Sequence, residues 1–230
     1  MRKTLLIISM VAVMTGTAYA QKGDARFGIK LGPTFDWASS GSTAANNDGF
    51  RLGGTVGLVC DYYLMDNIAV SSGLNLNWLQ LKYTFTDYRW VEDFLEKTEV
   101  PVSRRLKATN IEIPVKIKAG FDVFDSFKIY AEAGCGLSFN CKDYGKDTYN
   151  FYWVSSEGES YLDCTNQYRP LQLSMIFGLG AEYEINRNVS AFAQLTFDHS
   201  FSNAFVSPLE KQTGSIIRNN FVGVEVGIMH

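Results

Sequence analysis

The 230-residue sequence predicts an all-β fold, an eight-stranded antiparallel up-and-down transmembrane β-barrel behind an N-terminal signal peptide. Three observations predict it. Apolar residues recur with period two in eight separate segments from Phe27 onward. The links between those segments alternate strictly between short turns and long polar stretches. The composition is 46% hydrophobic and 14% aromatic with 20% charged residues, so the mean hydropathy is close to zero. No apolar run of about 18 residues follows the N-terminus, which excludes a helical membrane protein. High aromatic content with a net charge of only −3 excludes a disordered chain. The 21 Lys and Arg are outnumbered by 24 Asp and Glu, so no basic surplus points to nucleic acid.

Residues 1–20 read as the signal peptide. Arg2 and Lys3 form a positive start, Leu5 to Met14 an apolar stretch too short to span a membrane, and Ala18-Tyr19-Ala20 a small-residue cleavage site. Cleavage between Ala20 and Gln21 leaves a single barrel domain over 21–230.

The strands follow in order. Phe27, Ile29, Leu31 and Phe35 alternate with Gly28, Lys30, Gly32 and Thr34. Leu52, Val56, Leu58 and Cys60 alternate with Arg51, Gly53, Thr55, Gly57 and Asp61. Ile68, Val70, Leu74, Leu76 and Trp78 form the third apolar face, and Ile111, Ile113, Val115 and Ile117 the fourth. Pro114 lies on the polar face of that fourth strand and, having no N–H, marks a break in its ladder. Phe127, Ile129, Ala131, Cys135 and Leu137 are the fifth, and Leu171, Leu173, Met175, Phe177 and Leu179 the sixth. Val189, Ala191, Ala193, Leu195 and Phe197 are the seventh, and Val222, Val224, Val226 and Ile228 the last. Each is expected to run about 9–14 residues, and about 9–11 suffice to cross a bilayer at a tilt.

Met65-Asp66-Asn67, Asp122 to Ser126 and Asn186-Arg187-Asn188 are the short turns, and the long links fall near 38–49, 84–106, 141–167 and 202–216. This layout places both ends of the barrel domain on the short-turn, periplasmic side of an outer-membrane barrel.

Alternation alone does not say which face is inside, but two arguments turn the apolar face outward. Many of the 20 glycines share the polar face, and an eight-stranded bore is only just wide enough for side chains. The same face carries charges of both signs: Lys30, Arg51, Glu112, Lys116, Lys118, Lys128, Glu132, Glu182 and Glu225. These can pair across a narrow lumen, whereas a Lys facing lipid at midplane costs about 2–4 kcal/mol. They are read as a structural lumen network.

Four cysteines in an exported chain raise the question of a bridge. Cys60 and Cys135 sit on apolar strand faces as small hydrophobes. Cys141 and Cys164 flank a polar stretch, and a bridge between them would stabilise by about 3 kcal/mol in the chain-entropy description; two free thiols are the alternative. No metal or other cofactor is expected, because there is no CxxC pair and His199 and His230 are the only histidines.

In these residues the chain resembles the PorT-like outer-membrane β-barrel family of Bacteroidota-type bacteria. The likeness is carried by Phe27-Gly28-Ile29-Lys30-Leu31-Gly32, the Gly53-to-Leu76 hairpin, Ile111-Glu112-Ile113-Pro114-Val115-Lys116, Tyr130 to Leu137 and Phe177-Gly178-Leu179-Gly180. The resemblance implies an integral barrel of the Gram-negative outer membrane, whose founding relative is linked to type IX secretion. Its expected partners are outer-membrane lipids, the barrel assembly machinery and an envelope or secretion-system protein met through the long loops; a monomer is expected. The chain departs from many outer-membrane strands in ending Ile228-Met229-His230 rather than on an aromatic residue.

Two stretches invite further roles. His199-Ser200-Phe201-Ser202-Asn203-Ala204 resembles the His-x-Ser-Asn of outer-membrane lipid A deacylases, but His199 and Ser202 are three apart and so fall on opposite faces of a regular strand. The 84–106 and 141–167 links are rich in aromatics, and Trp90, Tyr149, Tyr152 and Trp153 are a candidate contact surface, or else part of an interfacial belt. Trp90 to Lys97 is expected to form a short amphipathic helix over the barrel mouth.

The function expected is therefore a non-enzymatic envelope barrel with a filled lumen and a structural or interaction role. A small pore or secretion-associated transport component is the alternative, ahead of a lipid A-modifying enzyme or a soluble periplasmic carrier.

Overall fold

The computed structural model describes residues 25–40, 45–90, 97–149, 159–160, 168–203 and 217–230. The signal peptide expected over 1–20, with its cleavage site at Ala20 and Gln21, lies outside the described residues. All regular structure among the described residues is β: β1 (Ala25–Ser40), β2 (Ala45–Asn47), β3 (Arg51–Met65), β4 (Ile68–Trp90), β5 (Lys97–Phe124), β6 (Phe127–Tyr149), β7 (Glu159–Ser160), β8 (Leu171–Asn186), β9 (Val189–Ser200) and β10 (Ile217–Met229).

Eight of these close a barrel. Each neighbours its successor, antiparallel, in the order β4-β3-β1-β10-β9-β8-β6-β5, and β5 pairs back onto β4. Closure of the first and last strands runs to the end of the chain, where the Phe27 N–H donates to the His230 carbonyl at 2.9 Å and the His230 N–H to the Phe27 carbonyl at 2.7 Å. Every predicted strand is present, and the three short turns fall at one end with both termini of the barrel.

The apolar faces point outward, as the lumen argument requires. Ile29, Leu31, Val115, Ile117, Leu179, Leu195 and Val226 are exposed, while Lys30, Glu112, Lys116, Glu132, Glu182 and Glu225 are buried. Pro114 interrupts the β4–β5 ladder as expected: pairing stops at Ser72–Val115 and resumes at Asn75–Glu112. The Ser72 hydroxyl donates to the Pro114 carbonyl across the gap at 2.8 Å. Pro33 leaves a matching gap between β1 and β10, from Leu31–Val226 to Thr34–Gly223.

The strand lengths depart from expectation. β4 and β6 have 23 residues and β5 has 28, so much of the links expected at 84–106 and 141–167 is sheet. β4 and β5 stay paired up to Trp90–Lys97, which replaces the expected start and end of a helix over the mouth with strand; 91–96 lie outside the described residues. The extension beyond Trp78 covers about 40 Å at ~3.3 Å per residue. Its open edges are covered by short partners, β2 on β4 at Asn47–Tyr83 and β7 on β6 at Asp147–Ser160. A long unpaired edge invites pairing with another chain, and these two pieces blunt it.

Candidate functional site: a closed lumen beneath an extracellular sheet

Inward-facing residues fill the bore in tiers. The lowest lies near the short turns and is ionic. Arg26 on β1 reaches across the lumen to Glu182 on β8, its Nη1 2.6 Å from Oε1, and also donates to the Ser190 hydroxyl. Lys118 on β5 lies 2.8 Å from Asp61 on β3 and 3.2 Å from the other oxygen of Glu182. Its Nζ also stands 4.2 Å from the centre of the Tyr130 ring. Below them is a small vestibule of about 20 Å³ lined by Tyr63, Asn67, Lys118, Tyr130 and Glu182. That is space for about one water, not a path for solute.

The middle tier joins Lys30 to Glu225 at 2.9 Å and pairs Lys116 with Glu132. Carboxylates that no Lys or Arg reaches are met by neutral donors. Asn75 and Asn77 each donate an amide hydrogen to Glu112 at 2.9 Å, and the Ser174 hydroxyl donates to Asp198 at 2.8 Å. Gln194 and Thr196 donate to the Glu225 oxygen that also holds Lys30. Buried charge is tolerated when it is paired and its lone pairs are used. Most of it is so held here, while Asp61 Oδ1 and Asp36 Oδ1 are buried with no hydrogen-bond partner among the described residues.

The upper tier is apolar. Ala38, Leu79, Leu81, Tyr83, Phe85, Val102, Leu106, Ala108, Tyr168, Ile217 and Phe221 pack as one buried cluster inside the extracellular end. Tyr168, which precedes β8, is tied in by the Asn219 amide. This plug is absent from the sequence expectation.

Most of the predicted network is therefore brought together: Lys30, Glu112, Lys116, Lys118, Glu132, Glu182 and Glu225 all line the lumen. Two members are displaced to the rims. Lys128 is one residue into β6, beside the turn, where its amine is a third exposed and shared between Asp122 at 3.6 Å and Glu184 at 3.3 Å. Arg51 is half-buried at the other end of β3, where its partner in register is Asp36 of β1. Arg26, Asp61 and Asp198 were missing from the expected network although they occupy the same period-two phase; Arg26 stands one residue before the first apolar position.

The other expected sites fare differently. Cys141 is the extra residue of a β-bulge between Asn140, opposite Asn110, and Lys142, opposite Thr109. It is exposed and its thiol is free; Cys164, its candidate partner, lies outside the described residues. Trp90 and Tyr149 are strand positions opposite Lys97 and Val102 on the extended sheet, and Tyr152 and Trp153 lie outside the described residues. His199 and Ser200 diverge: the imidazole packs between Phe197 and Phe201 with Nδ1 2.5 Å from Asn220 Oδ1, while Ser200 is buried on the inward side. Ser202 instead accepts the Leu173 N–H at 2.9 Å. Among the described residues no group of three or more His, Cys, Asp or Glu is placed to hold a metal ion.

Solved structures similar to the chain include Neisserial surface protein A, at 12% identity and a TM-score of 0.40, covering 88% of this chain and 95% of that one. The outer membrane protease OmpT from Escherichia coli aligns at 10% identity and a TM-score of 0.41, covering 94% and 99%. Ail, the attachment invasion locus protein of Yersinia pestis, aligns at 10% identity and 0.36, covering 91% and 100%. No curated protein matches the chain significantly. Residues 19–206 match the model of the outer membrane protein beta-barrel domain, and the chain belongs to that family, an outer-membrane protein by its fold and its kinship.

Proposed function

We propose that this barrel works as an anchored interaction scaffold of the cell envelope, with the bore held shut and the β4–β5–β6 extension presented outside. The observation that carries this reading is the three-tier filling of the lumen, two tiers of paired charge below an apolar plug. Eight strands leave room for side chains and little else. The extended sheet then offers the surface at which an envelope protein, or a secretion-system component, would dock, with Trp90 and Tyr149 at strand positions within it. Kinship with the PorT-like barrels of Bacteroidota fits Phe27 to Gly32, Ile111 to Lys116 and Phe177 to Gly180, and would make a secretion-associated partner the first to look for. We propose further that the chain acts as a monomer, folds through the barrel assembly machinery despite ending on His230, and performs no catalysis.

Planar-bilayer recording tests the closed bore. Purified barrel should add no sustained conductance above background. A stable, solute-permeable open level would overturn the scaffold reading in favour of a pore.

A further inference from the structure

We propose that the outward face of the β4–β5–β6 extension, just above the apolar belt, is a binding site for the phosphorylated headgroup of an outer-leaflet glycolipid. The inference deepens the outer-membrane reading and rests on it. Successive cross-strand rows on this face change character abruptly. Leu76–Ile111–Phe139 is wholly apolar, and the next row is Trp78–Thr109–Lys142. Gln80–Lys107–Tyr144 follows, and then Lys82 opposite Arg105.

Lys82, Arg105, Lys107 and Lys142 thus form one connected group of cations. Lys82 and Arg105 are directly opposite, Arg105 and Lys107 are same-face neighbours about 7 Å apart, and Lys107 and Lys142 are diagonal. Arg105, Lys107 and Lys142 are exposed. Lys82 is partly covered and paired with Asp48; among the described residues no ion pair engages the other three. Asp48 already answers Lys82, whereas Arg105, Lys107 and Lys142 stand as same-face neighbours with no such partner among the described residues, a local positive surplus that one shared anion would neutralise.

Position selects the anion. These rows begin one row above the last apolar row, at the depth where lipid phosphates sit and where exposed aromatics such as Trp78 and Phe139 mark the interface. The opposite rim has no such surplus. There Asp66, Asp122 and Asp125 are exposed, and Lys128 is shared by Asp122 and Glu184. The asymmetry fits a barrel whose two rims meet chemically different leaflets.

The test titrates the purified barrel in neutral detergent micelles with bisphosphorylated lipid A, with the same lipid stripped of phosphate, with inorganic phosphate and with heparin as a soluble polyanion. Variants are R105Q, K107Q and K142Q, singly and together, each checked for heat-modifiable migration as the mark of a folded barrel. Bisphosphorylated lipid A should bind at least tenfold tighter than the stripped lipid, weaken with salt, and lose about tenfold in the triple variant and two- to fourfold in each single one. Should the triple variant not fold, the single variants and the salt dependence decide. Equal binding of the two lipids, or full binding by the variants, would overturn the proposal. So would displacement by inorganic phosphate at equal concentration, which means a simple anion site, or tighter binding of heparin, which means a soluble polyanionic partner. Failure of the outer-membrane reading looks different: the wild-type chain would leave membranes in salt alone and show no heat-modifiable form.

Discussion

Arg26 Nη1 lies 2.6 Å from Glu182 Oε1, joining β1 to a strand three places away around the barrel wall. Glu182 spends its second oxygen on Lys118, and Lys118 reaches on to Asp61. One carboxylate therefore neutralises two buried cations from two different strands. Glu182→Ala strips Arg26 of its ion pair and leaves Lys118 with Asp61 alone, in a site with room for about one water, and breaking a buried pair in this way costs about 3–5 kcal/mol. Urea unfolding in lipid vesicles, followed by tryptophan fluorescence, should show a loss of that size. A loss below about 1 kcal/mol would mean that water or a rearranged Asp61 replaces Glu182.

The rim pair gives the opposite expectation by the same physics. Lys128 and Asp122 are 3.6 Å apart, and the Asp122 side chain is more than half exposed. Solvent screens such a pair, and exposed pairs contribute about 0–1 kcal/mol. Asp122→Ala should leave the unfolding midpoint almost unchanged in the same assay, despite removing an ion pair that looks equivalent on a list of contacts.

Close packing of strands over the lumen predicts a contrast between two glycines. A Cβ on Gly134 would press on the backbone of Val115 and Lys116 in β5, which cannot move without breaking the ladder. A Cβ on Gly178 would meet the carboxylate end of Glu132 at 3.2 Å, and that flexible side chain can yield. Gly134→Ala should destabilise by about 1–3 kcal/mol, the usual cost of overpacking, and Gly178→Ala by less than half as much in a parallel urea titration.

How much of this was legible in the sequence depends on where the surroundings change. In the membrane the outward side meets lipid, and Leu74, Leu76 and Trp78 mark it plainly. Above the membrane the backbone keeps its phase, but the outward side meets water and headgroups. The apolar residues Leu79, Leu81, Tyr83 and Phe85 then turn inward while Gln80, Lys82 and Thr84 turn out. Alternation continues across Trp78 with its polarity inverted, and an inverted pattern reads as the end of a strand. On β6 the Cys141 bulge shifts the phase itself, so that Ser138 and then Asp143 face inward. The lumen charges were legible because phase and pairing needs agree there. Their partners were not, because Arg26–Glu182 spans 156 residues and only closure of the barrel brings them together.

Orientation can be read from one thiol. Cys141 is exposed in the bulge at the level of the Trp78–Thr109–Lys142 row, above the apolar belt. Cys60 and Cys135 sit within the belt, where lipid covers them and keeps a water-soluble reagent away. In a Cys164→Ser background, a membrane-impermeant maleimide added to intact cells should label Cys141 and spare the other two. Labelling only after the outer membrane is opened would invert the barrel and place the extended sheet in the periplasm. With Cys164 restored, labelling that needs a reductant would show that the two cysteines bridge in the oxidising envelope. Labelling without one would show that Cys141 stays free there.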